Sequence, residues 1–362
     1  MKDIEKYNLL NIKQETFDNL NYFKQQSGFE KKDWDKFFAH MIAETKVVES
    51  TEKTLERIFE KSTYDEYFDS WIQNFTLNLP SIWNGVSAKK LSLERLEKSS
   101  AIVIGRGPSI KKNKHLEFLA NSNFKGTIIC CDGILISALK AGITPDKFER
   151  FFVVTIDTQD RQKVCYDDPI VKKYGSKINA ILSSTISPET LNIVKNSGLK
   201  IFWIHTLVDY NKGKNSFNYI SGVMSRMKNQ KLGLPAIQTG GNVGTSAWII
   251  AWAILKKSHV GIIGMDHGYY SKDRSDDDHI FPDDVDQKSE AFKKAYPIVY
   301  NSQYNCEVQQ DPIFQYYSNA LKEFIKRVSE KVKTINATEG GAIFGDGINC
   351  DSLENFIKKY NF

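Results

Sequence analysis

The sequence predicts an α/β protein with a doubly wound, mainly parallel sheet and a helical region at the N-terminus. Three observations predict it. From Ala101 onward, short apolar runs alternate with segments of helical spacing. Nearly every apolar run ends in glycine, hydroxyl or carboxylate residues. Residues 1–98 have a different texture, rich in Lys, Glu, Asp and Phe, with few glycines and a single proline, Pro80. Strands that alternate with helices favour a parallel sheet, because each crossover carries the chain back to the same end.

Residues 1–98 read as a helical accessory region. Trp34 to Val48 and Thr54 to Phe59 carry apolar residues at helical spacing. No convergent set of catalytic residue types occurs there, so packing or partner contact is the expected role. Residues 99–362 read as the α/β domain. Its predicted strands are Ala101–Gly105, Thr127–Cys131, Phe151–Ile156, Asn179–Ser183, Lys200–Ile204, His259–Gly264 and Lys333–Asn336. Helices are predicted between them, including Asp132–Ala141, Pro188–Asn196, Asn242–Lys256 and Ile313–Val328.

Ligands of open parallel sheets bind beyond the carboxyl ends of the strands. Those ends carry Gly105-Arg106-Gly107-Pro108-Ser109, Asp132, Asp157, Ser183-Ser184, His205, Asp266-His267 and Thr338-Glu339. Each is weak alone, since surface loops are polar anyway; together they point to one elongated polar cleft.

In the first of these elements Gly105 and Gly107 allow a tight turn, and Pro108 suits a first helical turn whose free amides can face an anion. Ser109 adds a hydroxyl for a phosphate or a ribose. The third glycine of a dinucleotide fingerprint is Ile110 here, and GKS or GKT is missing, so neither dinucleotide motif nor P-loop is present. A plain strand-to-helix turn accounts for GxGPS equally well.

The second element, Thr239-Gly240-Gly241-Asn242, opens a helix whose first turns carry Gly, Thr and Ser. Small residues let a ligand phosphate approach the positive end of the helix dipole, and they also allow tight packing on the sheet. The third, Gly264-Met265-Asp266-His267, delivers a carboxylate and an imidazole to the same edge. Asp266 could hold a ribose, a metal or a substrate hydroxyl, and His267 could carry a proton, although a lone histidine at a strand end is more often structural. Beyond it, Asp276-Asp277-Asp278-His279 with Asp283, Asp284 and Asp286 is either a cation site or a solvated loop. Closure of that loop would make His279 a second candidate base.

Composition sets the outer limits. A chain of 362 residues with 41% hydrophobic and 26% charged residues is that of a soluble globular protein. Its +5 charge, 49 basic against 44 acidic residues, helps draw in an anionic small molecule but makes no dedicated nucleic-acid surface. Nowhere do about 18 apolar residues run together, so no transmembrane helix is expected. Cys130, Cys131, Cys165, Cys306 and Cys350 show no CxxC spacing and read as reduced structural cysteines of a cytoplasmic protein.

The residues GRGPSI, CCDGILISALKAGITPD followed by FVVTID, TGGNVGTSA and GMDHGYY resemble the MptE-like domain family. That family includes archaeal 6-hydroxymethylpterin pyrophosphokinases and Maf-type motility-associated glycosyltransferases. The closing INATEGGAIFGDGINCDSL resembles the Maf-type members in particular, and the likeness runs over about residues 98–355. The core is also similar to bacterial sialyltransferases that use CMP-sugars.

The resemblance implies a Rossmann-like fold in which Gly105, Gly107, Pro108 and Ser109 contact a nucleotide, with Arg106 adding a phosphate contact. It places Asp132 near the nucleotide, Thr239, Gly240 and Gly241 beside the donor phosphate, and Asp266 beneath the sugar or ribose. Asp157 and Asn242 belong to the same expected nucleotide-binding set, with His279, His267 and Asp266 as the catalytic candidates.

Two reactions follow from the resemblance. In one, a nucleotide-activated sugar such as a CMP-linked nonulosonic acid passes to an acceptor hydroxyl on a glycan, protein or small molecule. His279 or His267 would be the base. In the other, ATP, normally with Mg²⁺, gives a pyrophosphoryl group to a pterin alcohol. Chain length and the TEGGA ending favour the first. A nucleotide-binding protein without catalysis is a third alternative.

Overall fold

The apolar runs that the spacing marks as strands line up as one parallel sheet. The structure, a computed structural model, describes residues 51–92, 97–209, 213–226, 233–270, 288, 293 and 296–362, with side chains from Tyr67 onward. His279 and the acidic run around it lie outside the described residues. Two units can be distinguished. One comprises Met1–Ser62, Gly268–Tyr300 and Glu307–Gln315; the other comprises Thr63–His267, Asn301–Cys306 and Tyr316–Phe362.

The second unit holds the sheet. Its strands are β1 (Val86–Ser87), β2 (Ser100–Ile104), β3 (Thr127–Cys131), β4 (Phe151–Thr155), β5 (Asn179–Ser183), β6 (Lys200–Thr206), β7 (Ala236–Ile237) and β8 (His259–Ile263). After a hairpin of β9 (Ile298–Asn301) and β10 (Cys306–Gln309) come β11 (Lys333–Asn336) and β12 (Ile348–Cys350). The ten-stranded sheet runs β1-β6-β5-β4-β3-β2-β8-β11-β12, with β7 beside β6, and its ladders are parallel. The chain therefore moves outward from β2 to β6 and then returns to the other side of β2 with β8. The β2–β8 boundary is the point where the strand order reverses.

Burial on both faces explains why the central strands are continuously apolar. Ile102 and Ile104 face a core with Phe75, Leu119, Phe151 and Phe356, whereas Ala101 and Val103 face Trp248, Ile250, Leu321 and Ile325. Cys130 and Cys131 divide between the same two cores, as alternation along a strand requires. All five cysteines are unpaired.

Helices cover both faces. They are α1 (Thr51–Trp83), α2 (Ser109–Lys112), α3 (His115–Asn121), α4 (Leu135–Lys140), α5 (Pro169–Tyr174) and α6 (Pro188–Asn196). They continue with α7 (Phe217–Met224), α8 (Val243–Ile249), α9 (Pro312–Val328) and α10 (Leu353–Tyr360). Local chemistry sets their starts: Ser187 caps α6 by accepting from Thr190 N at 3.1 Å, with Pro188 in the first turn.

The helix expected over Asn242–Lys256 begins as α8 and finishes as a π turn, Ile250–Ile254, where Leu255 N donates to Ile250 O at 2.9 Å. The helix expected from Asp132 starts with a 3₁₀ turn, Asp132–Ile134, before α4. The last turns of α1 enter the α/β core through Phe75, Leu79 and Ile82. Asn78 donates to Ser184 O and Ile186 O at 3.2 and 2.8 Å, so the compositional change near residue 98 falls inside this unit. No helix among the described residues is long and apolar enough to cross a membrane.

In the other unit, Tyr269 exchanges backbone hydrogen bonds with Gln309 at 2.8 and 2.9 Å. Its hydroxyl donates to Asp311 at 3.1 Å and its ring packs on Phe314.

Candidate active site

The β2–β8 boundary is where open α/β sheets bind ligands, and the turns that leave these two strands are locked together. Gly105 N donates to Ile263 O and Gly107 N to Gly264 O, each at 2.8 Å. A Cβ at position 105 would lie 2.3 Å from Gly264 O, and one at position 107 would lie 2.0 Å from Asp266 Oδ2. Both glycines are therefore demanded by the close approach of β8, and their amides are committed to it. Pro108 precedes α2 with φ −61°.

Ser109 Oγ donates to Asp266 Oδ2 at 2.8 Å, and the two residues are 0% and 1% exposed. A hydroxyl has one proton, so in this arrangement Ser109 offers a ligand only its lone pairs. Asp266 is also clasped from behind. Ala342 N donates to Asp266 O at 2.8 Å, and a Cβ at Gly341 would meet that oxygen at 2.7 Å. The TEGGA segment is thus part of the site. Its Glu339 accepts from Leu353 N at 3.1 Å and pairs with His115 at 3.3 Å, and the His115 hydrogen bond holds its carboxyl below the ordinary range.

One strand over, Asp132 stands at the end of β3, 6% exposed. Burial pushes its pKa up to about 6, against the hydrogen bonds from Gly133 N (2.7 Å) and Thr155. The charge of Asp157 pushes the same way, and the Arg106 guanidinium pulls down. Arg106 itself is exposed and crosses Gly133, where a Cβ would lie 3.0 Å from its Cδ. Asp157 is half-buried and accepts from Gln159 N at 3.1 Å and Gln162 Nε2 at 2.6 Å, which ties it to the turn after β4.

The Thr239–Asn242 turn is built by its own side chains. Thr239 Oγ1 accepts from Gly241 N at 3.2 Å, and Asn242 caps α8 by accepting from Thr245 N at 2.9 Å. Gly240 and Gly241 adopt φ +59° and +82°, which a side chain would strain. Tyr316 and Tyr317 of α9 close on Gly241, where a Cβ would meet their rings at 2.6 and 2.5 Å.

Sequence reasoning missed Tyr316 and Tyr317; the available signal is two adjacent tyrosines on a helix that follows the last loop. The Tyr317 ring meets His267 edge-on at 6.2 Å. His267 is 8% exposed at φ +47°, and burial, with the Lys322 charge second, pushes its pKa down to about 3. Its imidazole is neutral at physiological pH but a weak base.

The structure thus brings Gly105, Gly107, Ser109 and Asp266 into direct contact and puts Arg106, Asp132 and Asp157 at the neighbouring strand ends. Ser184 and His205 serve the fold instead. His205 lies between Ser184 Oγ at 2.7 Å and Ser221 Oγ at 2.9 Å, and burial pushes its pKa down to about 4. Among the described residues, no group of three or more His, Cys, Asp or Glu comes together as a metal-ligand set.

Comparison with known proteins agrees with this architecture. A solved structure of similar fold is that of MAf glycosyltransferase from Magnetospirillum magneticum AMB-1, with TM-score 0.51 at 14% identity. The match covers 78% of this chain and 39% of that one, so this chain spans well under half of the neighbour's length. No curated protein matches. The family described as 6-hydroxymethylpterin diphosphokinase MptE-like matches residues 73–272, an interval that contains the turns after β2, β3, β4 and β8 and the turn before α8. The chain belongs to the MptE-like family.

Proposed function

We propose that this chain is a nucleotide-dependent transferase that moves a sugar, a nonulosonic acid carried by CMP, to an acceptor hydroxyl. The observation that carries the reading is the clasp around Asp266. The segment whose sequence resembles Maf-type glycosyltransferases, Thr338 to Ala342, wraps the residue that the glycine turn also holds. The fold shared with a MAf glycosyltransferase supports it, as does the exposed Arg106 guanidinium where a donor phosphate would lie. In this reading Asp266 orients the Gly105–Ser109 turn beneath the donor, and the Thr239–Asn242 turn flanks its phosphate. His279 takes the acceptor proton, because burial makes His267 too weak a base for the task.

A panel of CMP, CDP, UDP, GDP and ATP, each with and without Mg²⁺, tests the nucleotide by its effect on the melting temperature. A ligand that binds only the folded state raises stability by about 2.7 kcal/mol at a hundred times its Kd. CMP is expected to stabilise the protein without metal. The description of the family match favours a second reading, pyrophosphoryl transfer from ATP to a pterin alcohol, with Mg²⁺ arriving on ATP. Stabilisation by ATP with Mg²⁺ and by no cytidine nucleotide would replace the first reading with the second.

For the base, His279→Ala is expected to slow release of CMP from the donor sugar by about a hundredfold while leaving the CMP-induced thermal shift unchanged. Wild-type turnover in that variant would move the role of base to another group.

A further inference from the structure

The helix α7 carries apolar residues on two faces. Phe217, Ser221 and Met224, spaced i, i+4 and i+7, turn toward the core. Phe217 meets the Phe75 ring edge-on at 5.5 Å, and Ser221 Oγ lies 2.9 Å from His205 Nε2. That face alone satisfies the core. Tyr219, Ile220 and Val223 share the outer side at helical spacing, and with Leu207 they are between 43% and 50% exposed. Leu207 belongs to the same surface, because the amide of its neighbour Val208 donates to Asn218 Oδ1 at 3.0 Å. Single exposed apolar side chains are ordinary. Four on one helix and the loop tied to it mark a surface that something covers.

The charge around this face identifies what covers it. From Asp209 to Lys231 the sequence holds five basic residues and one acidic residue. Lys214 lies just before the helix and Arg226 just after it, and both are exposed. The acid, Asp209, is engaged in the turn into α7, where it accepts from Ser216 Oγ at 3.0 Å and from Asn218 N at 3.2 Å. An apolar face with a cation at each end fits the boundary of an anionic bilayer. Apolar side chains enter the edge of the acyl region there, while Lys and Arg stay with the headgroup phosphates. A second copy of this chain fits less well, since two such helices packed face to face bring one basic end against another.

We propose that the outer face of α7, with Leu207, binds this protein to the surface of membranes that contain anionic lipid. Leu207, Tyr219, Ile220 and Val223 enter the headgroup boundary, and Lys214 and Arg226 meet lipid phosphates. The attachment is peripheral. Eight residues of helix extend only about 12 Å, against about 30 Å of hydrocarbon in a bilayer. The surface begins at the carboxyl end of β6, the edge of the sheet on which the Gly105–Ser109 turn also lies. The inference is independent of which nucleotide, if any, that turn receives.

The test is co-sedimentation of the full chain with phosphatidylcholine vesicles prepared with and without phosphatidylglycerol. Partitioning onto the anionic vesicles is expected to exceed that onto the neutral ones by about tenfold or more at low salt, and to fall as salt is added. Lys214→Gln/Arg226→Gln should weaken it by about thirtyfold, about fivefold for each charge. Ile220→Ser/Val223→Ser leaves every charge in place and should weaken it by about tenfold or more. Both variants change exposed residues, so their melting temperatures should stay near that of wild type.

Absence of binding to anionic vesicles at low salt would overturn the proposal. So would wild-type binding by Ile220→Ser/Val223→Ser, because charge elsewhere on the protein would then suffice. Equal partitioning onto the two kinds of vesicle would overturn it as well, since the cations would have no role. A chain that ignores vesicles but dimerises in sedimentation equilibrium, and stops doing so in Ile220→Ser/Val223→Ser, would assign the face to a second copy instead.

Discussion

Gly107→Ala is expected to lower stability by about 3 kcal/mol in denaturant unfolding, at the upper end of what overpacking usually costs. The added Cβ would lie 2.0 Å from Asp266 Oδ2 and 2.8 Å from Gly264 O. Neither neighbour can yield easily. Asp266 is held by Ser109 Oγ on one side and by Ala342 N on the other, and Gly264 O receives the Gly107 amide itself. Relief requires separating the turns after β2 and β8, with loss of the Gly107 N to Gly264 O bond and of the Ser109–Asp266 bond.

Gly133→Ala is the control. Its nearest contact is Arg106 Cδ at 3.0 Å, part of a flexible exposed arm that can swing aside. Its stability should change by less than about 1 kcal/mol. On the proposed nucleotide-binding reading, affinity for the nucleotide should fall, because the arm is displaced from the end of β3. In an Asp266→Ala background the Gly107→Ala penalty should shrink without disappearing, since the contact with Gly264 O remains. A Gly107→Ala protein as stable as wild type would show that the two turns are not locked.

The sheet shows where sequence reasoning reached and where it stopped. Thr127–Cys131 is a strand in both, because an unbroken apolar run of that length has few alternatives in a doubly wound fold and its ends carry turn chemistry. Asn242 could be read as the start of a helix because capping is local: the side chain reaches an amide three residues on.

The order of strands is a different kind of information. Nothing in the spacing of Ile102, Ile104, Ile262 or Ile263 says that β8 returns beside β2, yet that neighbourhood makes Gly105 and Gly107 obligatory. Val86–Ser87 and Ala236–Ile237 are strands only because β6 offers them partners, and two residues have no period to detect. The Thr155–Tyr166 hydroxyl pair was invisible for the same reason. Thr155 reads as one more strand residue and Tyr166 as one more core aromatic until the fold sets their oxygens 2.6 Å apart. Ser109 gives its proton to a carboxylate far along the chain, which pattern within one segment cannot disclose.

Stability is expected to fall by about 4 kcal/mol between pH 7 and pH 4, through three buried groups of opposite sign. His205 and His267 titrate near 6.5 in the unfolded chain and near 4 and 3 in the folded one, because burial disfavours the imidazolium. Between pH 6.5 and pH 4 the unfolded state binds more protons at both sites, so stability rises with pH and is lost as pH falls through that window. Together they account for roughly 6 kcal/mol of loss.

Asp132 opposes them. Its pKa rises from 3.8 to about 6 on folding, so the folded state binds more protons between those values and regains roughly 2 kcal/mol as pH falls through them. Glu339, held below its ordinary range by the His115 hydrogen bond, loses stability on acidification and adds to the histidines. The sign of the net slope is therefore set by His205 and His267. Asp132→Asn removes the opposing contribution and should steepen the acid loss by roughly 2 kcal/mol in urea unfolding measured at each pH. Stability that is flat from pH 7 to pH 4 in wild type would mean that the two imidazoles are solvated or proton-paired in the folded protein, and that the hydrogen-bonded burial of His205 between Ser184 and Ser221 is not maintained in solution.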